Sequence, residues 1–177
     1  MKTPTIRSQN ILLRPFAKAD LTDRYVAWLN DPLVTQFSEL RHTRHTRESC
    51  AAYLEAIEKA GHFFWAIELH IEAPEHIGNI TAYIDHQNGI ADVAILLGQA
   101  TARGRGYGTA AFGSACQWLL ASGFRKVTAG TVRPNVAMLA IMRRIGMLED
   151  GVRPNHYVIA GAEADVIYGA LFSPRRS

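Results

Sequence analysis

The spacing of apolar and polar positions changes period several times along the chain, and each change marks an element. Ile11, Leu12 and Leu13, followed by Arg14-Pro15, read as a first strand that stops at the proline. Asp20 is placed to cap a helix that buries Leu21, Tyr25, Trp28 and Leu29 on one face, and Asn30-Asp31-Pro32 ends it. A second helix over residues 46–60 turns Cys50, Tyr53, Leu54 and Ile57 inward and stops at Gly61.

From residue 63 the period becomes two. Phe63, Trp65, Ile67 and Leu69 alternate with more polar neighbours as a strand, and residues 77–84 give another. Asn88-Gly89 signals a tight turn, because both residue types accept positive φ, and it joins that strand to residues 90–97 as an antiparallel hairpin. After Gly98 the helical period returns. Tyr107, Ala110, Ala111, Ser114, Ala115, Trp118 and Leu119 form a stripe that Gly123 closes. Residues 126–132 read as a strand, Asn135 to Arg144 as a helix stopped by Gly146, and two strands follow around Tyr157 and over residues 165–172. The order βααβββαβαββ is that of a mixed α/β domain of the α+β type.

Length and composition fit one domain spanning residues 1–177. The chain is 48% hydrophobic and 20% charged, enough to bury a core without a disulfide or metal staple. Cys50 and Cys116 stand in no Cys-x-x-Cys or Cys/His spacing, which suits two structural thiols in a reducing compartment. Residues 1–10 are polar and lack an apolar signal core, and no apolar run approaches the ~20 residues of a membrane span. A cytoplasmic protein without a membrane partner is expected. A net charge of +3 is too small to imply a nucleic-acid partner. The basic residues nevertheless cluster, in residues 41–47, at Arg103/Arg105, at Arg143/Arg144 and at Arg175/Arg176. His42 and His45 lie inside the first of these positive runs with no third ligand, so no metal site is expected.

The sharpest feature is Arg103-Gly104-Arg105-Gly106-Tyr107-Gly108-Thr109, set between an apolar strand and a helix. Glycines there let the backbone approach a ligand, and a helix start offers unpaired N–H groups and a positive dipole end. With two arginines this makes an anion cradle suited to a pyrophosphate. It is not a Walker loop, for no Gly-Lys-Ser/Thr follows, nor the dinucleotide GxGxxG, whose third glycine comes one residue later. By itself it reads equally as a flexible glycine-rich loop.

Residues 103–108 resemble the Q/R-x-x-G-x-G/A motif of the GCN5-related N-acetyltransferases (GNAT). Residues 91–98 resemble that family's central strand. Asn135 to Met147 is similar to its next helix, and the Arg14-Pro15 start, residues 28–32 and residues 161–165 resemble its RimJ/RimL-like branch. The resemblance implies a mostly antiparallel central sheet flanked by helices and splayed between its central strands, with acetyl-coenzyme A (acetyl-CoA) as cosubstrate. Ile95, Leu96 and Leu97 would then pair with the pantetheine arm. Arg103, Gly104, Arg105, Gly106, Tyr107, Gly108 and Thr109 would hold the pyrophosphate. Asn135, read from sequence as an N-cap, would also meet the pantetheine, and Arg143 would reach the nucleotide phosphate.

The implied reaction is direct attack of a neutral amine on a thioester. The enzyme must orient the amine, take its proton and stabilise the oxyanion, for which a backbone N–H near Leu96 is the donor by analogy. No cysteine has a His base beside it in sequence, which disfavours a covalent route. Asp92 occupies the place where many relatives carry Glu. It reads either as the general base or as a hairpin-end aspartate facing water. Glu39 and His156 are further candidates, and Glu39 with Arg41 reads either as a substrate clamp or as a surface ion pair. The chain departs from the family where relatives place a Ser or Tyr proton donor, since Met138, counted with the cofactor-binding set, and Met142 have no proton to give. Two functions follow: an acetyltransferase acting on a small metabolite (a nucleotide-linked amino sugar among the possibilities) or on a protein N-terminus, or an acyl-CoA sensor without catalysis. The partner is a small-molecule or peptide amine, and the chain is a monomer or homodimer.

Overall fold

The computed structural model describes residues 2–71 and 73–174. Its strands are β1 (Ile6–Ser8), β2 (Ile11–Pro15), β3 (Phe63–His70), β4 (Pro74–Asp85), β5 (Ile90–Leu97), β6 (Lys126–Val132), β7 (Leu148–Ile159) and β8 (Ala162–Phe172). All eight join one sheet in the order β1-β2-β3-β4-β5-β6-β8-β7. Every neighbouring pair is antiparallel except β5–β6, which is parallel. The helices are α1 (Asp23–Asn30), α2 (Pro32–Thr35), α3 (Arg47–Lys59), α4 (Tyr107–Ala121) and α5 (Val136–Arg144). None of them is long and apolar enough to cross a membrane.

Both faces of the sheet centre are covered. On one face Phe63, Trp65, Ile67, Ile80 and Val127 pack with Ala111, Phe112, Ala115 and Leu119 of α4. On the other, Phe64 and Ala66 pack with Tyr25, Trp28 and Leu29 of α1 and with Cys50, Leu54 and Ile57 of α3. β3 is therefore buried on both sides, and the alternation expected from Phe63, Trp65 and Ile67 is only half of its pattern.

Several local expectations change. The N-cap of α1 is Thr22, whose side chain accepts from the Tyr25 amide. Asp20 instead takes both ends of the Arg14 guanidinium at 2.7 and 2.8 Å, with Arg14 also bonded to Glu68. α3 runs as read, with Thr46 as its cap, but Tyr53 stays 38% exposed because its hydroxyl reaches the polar sheet face described below. The β4–β5 hairpin closes through a longer loop than a two-residue turn. Asp85 accepts from the Asn88 amide at 2.9 Å, and only Gly89 takes positive φ (+62°). β1 and α2 add two short elements. β7 is exposed at nearly every position, as a sheet edge broken by bulges near Gly151 and between Arg153 and Tyr157.

Candidate active site

Strands β5 and β6 hold together over three rungs only, Ile90↔Lys126, Ala91↔Val127 and Asp92↔Thr128. Past that point β5 continues to Leu97 and β6 to Val132 without pairing, so the two central strands part and leave the β6-facing edge of residues 93–97 free. An edge with unused backbone donors and acceptors is the natural seat of an extended amide-bearing chain. On its other side β5 stays in register with β4 from Gly78↔Leu97 to Asp85↔Ile90.

The cradle opens where β5 ends. Gly98 is fixed by packing, since a Cβ there would lie 1.9 Å from Trp28 Cδ2. Gly104 and Gly106 have φ of +73° and +84°, and a Cβ at either would meet no protein atom within 4 Å. Gly106 caps α4 without a side chain, and the first-turn amides of Tyr107, Gly108 and Thr109 have no intrahelical acceptor. Bare glycine backbone, a helix start and the exposed Arg105 thus face one open space. Arg103 turns back instead, donating to the Leu97 and Gly98 carbonyls at 3.3–3.5 Å. Gly108 is buried against Leu97 and Ile141, which fixes the start of α4 to the end of β5. These features fit a pyrophosphate with an amide-bearing tail running into the gap between β5 and β6.

Asn135 caps α5, accepting from the Met138 amide, and its own amide donates to Thr131 Oγ1 at 3.0 Å. Met138 and Met142 are buried, whereas Arg143 is exposed in the last turn of α5. Cys116 lies inside α4, where burial pushes its thiol up to about 12, away from thiolate chemistry.

The last rung before the strands part carries the carboxylate. Asp92 accepts from Thr128 Oγ1 at 2.6 Å. The residue has an open side toward solvent, yet surrounding protein desolvates its carboxyl and raises its pKa, an effect that the Thr128 hydroxyl only partly offsets. Tyr83 of β4 stands opposite Asp92. Its hydroxyl meets that of Tyr53 at 2.7 Å, and Tyr53 also approaches Thr81 Oγ1 at 3.4 Å. Desolvation first, then the Tyr53 bond, raises the Tyr83 pKa and keeps the phenol neutral. Sequence reading missed Tyr83 and Thr128. The signal was a row of polar residues at period two, Asn79, Thr81 and Tyr83, alternating with Ile80, Ala82 and Ile84 in β4. Asn79 is 9% exposed, and its Oδ1 has no partner among the described residues.

The other candidates lie apart from this rung. Arg41 bonds Glu39 at 2.8 Å, the Ser38 carbonyl at 2.7 Å and the Val158 carbonyl at 3.3 Å, so it ties the 3-10 turn Glu39–His42 to β7. Among the described residues Glu39 reaches only Arg41 and His42. His156 is exposed in a bulge of β7 with its ring against Tyr157. No hydrogen bond joins either residue to Asp92. The described residues contain no cluster of three metal-ligating side chains.

Comparison with known proteins agrees with this geometry. The family model described as an acetyltransferase (GNAT) domain matches residues 10–148. No curated sequence is significantly similar to the chain. Among solved structures, RimL, a ribosomal-protein α-N-acetyltransferase in complex with coenzyme A, superposes with a TM-score of 0.83 at 16% identity, over 96% of this chain and 98% of that one. Spermidine N-acetyltransferase from Vibrio cholerae, in complex with CoA and spermine, gives 0.82 at 15% identity over 94% and 97%. A microcin self-immunity acetyltransferase in complex with acetyl-CoA and AMP gives 0.76 at 17% identity over 93% of each chain. A splayed central sheet, a glycine cradle at the start of α4 and a family match over most of the chain lead to one conclusion: the chain belongs to the GNAT family of acetyl-CoA-dependent N-acetyltransferases.

Proposed function

We propose that the chain transfers the acetyl group of acetyl-CoA to a primary amine of a small metabolite or of a protein N-terminus, by direct attack and without an acyl-enzyme. Acetyl-CoA supplies an activated thioester; the residues of the chain do the rest. Backbone of residues 104–109 holds the pyrophosphate, with Arg105 adding charge, while Ile95, Leu96 and Leu97 align the pantetheine along the free edge of β5. A backbone N–H near Leu96 donates to the developing oxyanion. Asp92 accepts the proton of the attacking amine, directly or through one water. Such an enzyme works in the cytoplasm, where its cosubstrate is made.

The observation that carries this reading is the Asp92–Thr128 rung, a desolvated carboxylate at the vertex where β5 and β6 part. A carboxyl raised toward working pH is a better base than one at its ordinary value. The similar structures include a ribosomal-protein α-N-acetyltransferase and a spermidine N-acetyltransferase, so an acceptor panel must span peptides, polyamines and amino sugars. Incubation with acetyl-CoA, with free thiol and acetylated product measured together, tests the assignment. Acetyl-CoA binding without thiol release from any amine would make the chain an acyl-CoA sensor instead.

A further inference from the structure

On the sheet face beneath α1 and α3, Asp92 and Arg153 have no partner of opposite sign among the described residues, and they stand at opposite ends of one strip. Asp92, Ala94 and Leu96 share this face on β5, and Thr128, Gly130 and Val132 share it on β6. The identity of the face follows from Leu96, which packs with the α1–α3 cluster, and from Tyr53 of α3, which reaches Tyr83 opposite Asp92. Ala94 and Gly130, both exposed, flank the gap where the strands part and leave its floor open.

Beyond Gly130 the strip ends at Tyr168. This residue pairs with Gly130 across β6–β8, and its ring lies over the glycine, where a Cβ would approach Tyr168 Cε1 to 2.7 Å. Above that ring stands the Arg153 guanidinium, 5.0 Å from the ring centroid. Arg153 is exposed and, among the described residues, pairs with no carboxylate. Three basic residues on or beside β6 and β7 are occupied: Arg41, which reaches the Val158 carbonyl, is held by Glu39, Arg133 by Asp165 and Lys126 by Asp150. At the other end Asp92 has, among the described residues, a hydroxyl partner and no cation, and Tyr83, bonded to Tyr53, stands opposite it on β4.

We propose that this strip is the acceptor groove and that it selects an amine bearing an anionic group, a phosphate or a carboxylate, which Arg153 binds while Asp92 and the Tyr53–Tyr83 pair receive the ammonium end. The inference rests on the acetyltransferase reading and adds the substrate class to it. Asp92 pairs with an arriving ammonium and then takes its proton. The nitrogen lone pair forms the new C–N bond, the C–S bond breaks, the electron pair leaves with the sulfur, and the second nitrogen proton passes to water or to the departing thiolate. Arg153 takes no part in bond making. Stacked on Tyr168, it presents its remaining N–H groups as a fork to a planar or tetrahedral anion. A polycation such as spermidine places a second positive charge against Arg153 and is disfavoured.

Matched pairs test this on the full chain. Glucosamine is compared with glucosamine 6-phosphate, and hexylamine with 6-aminohexanoate, so that one pair adds a phosphate and the other a carboxylate. Spermidine is the cationic control. Acetyl-CoA binding is first measured by calorimetry; its absence would end the acetyltransferase reading whatever the groove does. Acetylation is then read as kcat/KM, and amine binding is read in parallel on the CoA-saturated protein, so that a poor acceptor still reports. The expected result is a preference of tenfold or more for the anionic member of at least one pair, with spermidine weakest. In Arg153→Ala that preference falls toward one while acetyl-CoA affinity holds, and Arg153→Lys recovers part of it. Two results overturn the proposal: equal use and equal binding of charged and uncharged members, or a preference that survives in Arg153→Ala.

Discussion

At the scale of single residues, Asp92 shows how one position joins stability to chemistry. Its carboxyl is raised by desolvation in the fold, against about 3.9 in an unfolded chain. A carboxyl with a raised pKa binds protons more tightly when folded, so ionising it opposes folding. The destabilisation is fully present above the folded pKa and vanishes below the unfolded one. Asp92→Asn, which keeps an oxygen for the Thr128 hydroxyl, is therefore expected to melt higher than the parent at pH 7.5. The gap should close as the pH falls toward 4, in thermal scans of both proteins. An equal melting temperature at pH 7.5 would mean that the carboxylate is as well solvated in the fold as outside it. Gly98 is a residue-scale case of the opposite kind. Its missing Cβ is space already filled by Trp28, so Gly98→Ala should cost about 1–3 kcal/mol in urea unfolding, the usual range for overpacking. The packing at Gly98 was not legible in sequence and Asp92 was legible only as one of two readings, because each environment depends on a neighbour far along the chain.

At the scale of elements, the glycine loop and the helix that follows it were legible, although Arg103, read with the cradle, folds back onto Leu97 and Gly98. The glycine spacing and the small-residue stripe of α4 are local signals, and local geometry delivers them. Residues 90–97 and 126–132 also stand as strands where their periodicity put them. What escaped was whatever tertiary context decides. β1 is three residues in a polar stretch and exists because β2 offers an edge. β7 has almost no buried positions to alternate, and the splay of β5 from β6, which the family resemblance implied, leaves no mark in either strand's composition. The cradle itself makes a graded prediction. At Gly106 a side chain meets no protein atom, so Gly106→Val should fold, carrying only the strain of a β-branched residue at positive φ. That side chain would stand where the backbone must touch a pyrophosphate. Acetyl-CoA binding should be lost in calorimetry while circular dichroism stays native. Arg105→Ala should lose less, because the exposed side chain adds charge to contacts that backbone amides already make. An equal loss in the two variants would assign the binding to charge rather than to backbone.

At the scale of the whole molecule, the site is made by a disagreement between two halves of the sheet. β1 to β5 form one antiparallel run, β6 to β8 another, and they share only the three rungs that end at Asp92 and Thr128. The carboxylate stands at that last rung, so its effect on turnover tests the architecture as well as the residue. A peptide α-amino group titrates at about 7.7–8.0, and an aliphatic amine such as lysine at about 10.4, so the acceptor arrives largely protonated at pH 7. Something must take that proton before or during attack. With Asp92 as that group, Asp92→Ala should lower kcat by about 10²–10⁴-fold at neutral pH. The deficit should narrow as the pH passes the amine's own pKa, since the free amine then forms unaided. Met138 and Met142 provide the contrast. Both are buried on α5, where the family resemblance would place a hydroxyl, and neither can give a proton to the leaving thiolate. Met138→Leu and Met142→Leu keep the volume and should leave the pH profile unchanged, because a thiol with a pKa near 8.5 leaves tolerably as thiolate or takes its proton from water. Turnover against pH for the three variants, with one acceptor from the panel, decides the matter. A parental profile in Asp92→Ala would move the base elsewhere, to Glu39 or His156, and would reduce the Asp92–Thr128 bond to the clasp that starts the splay.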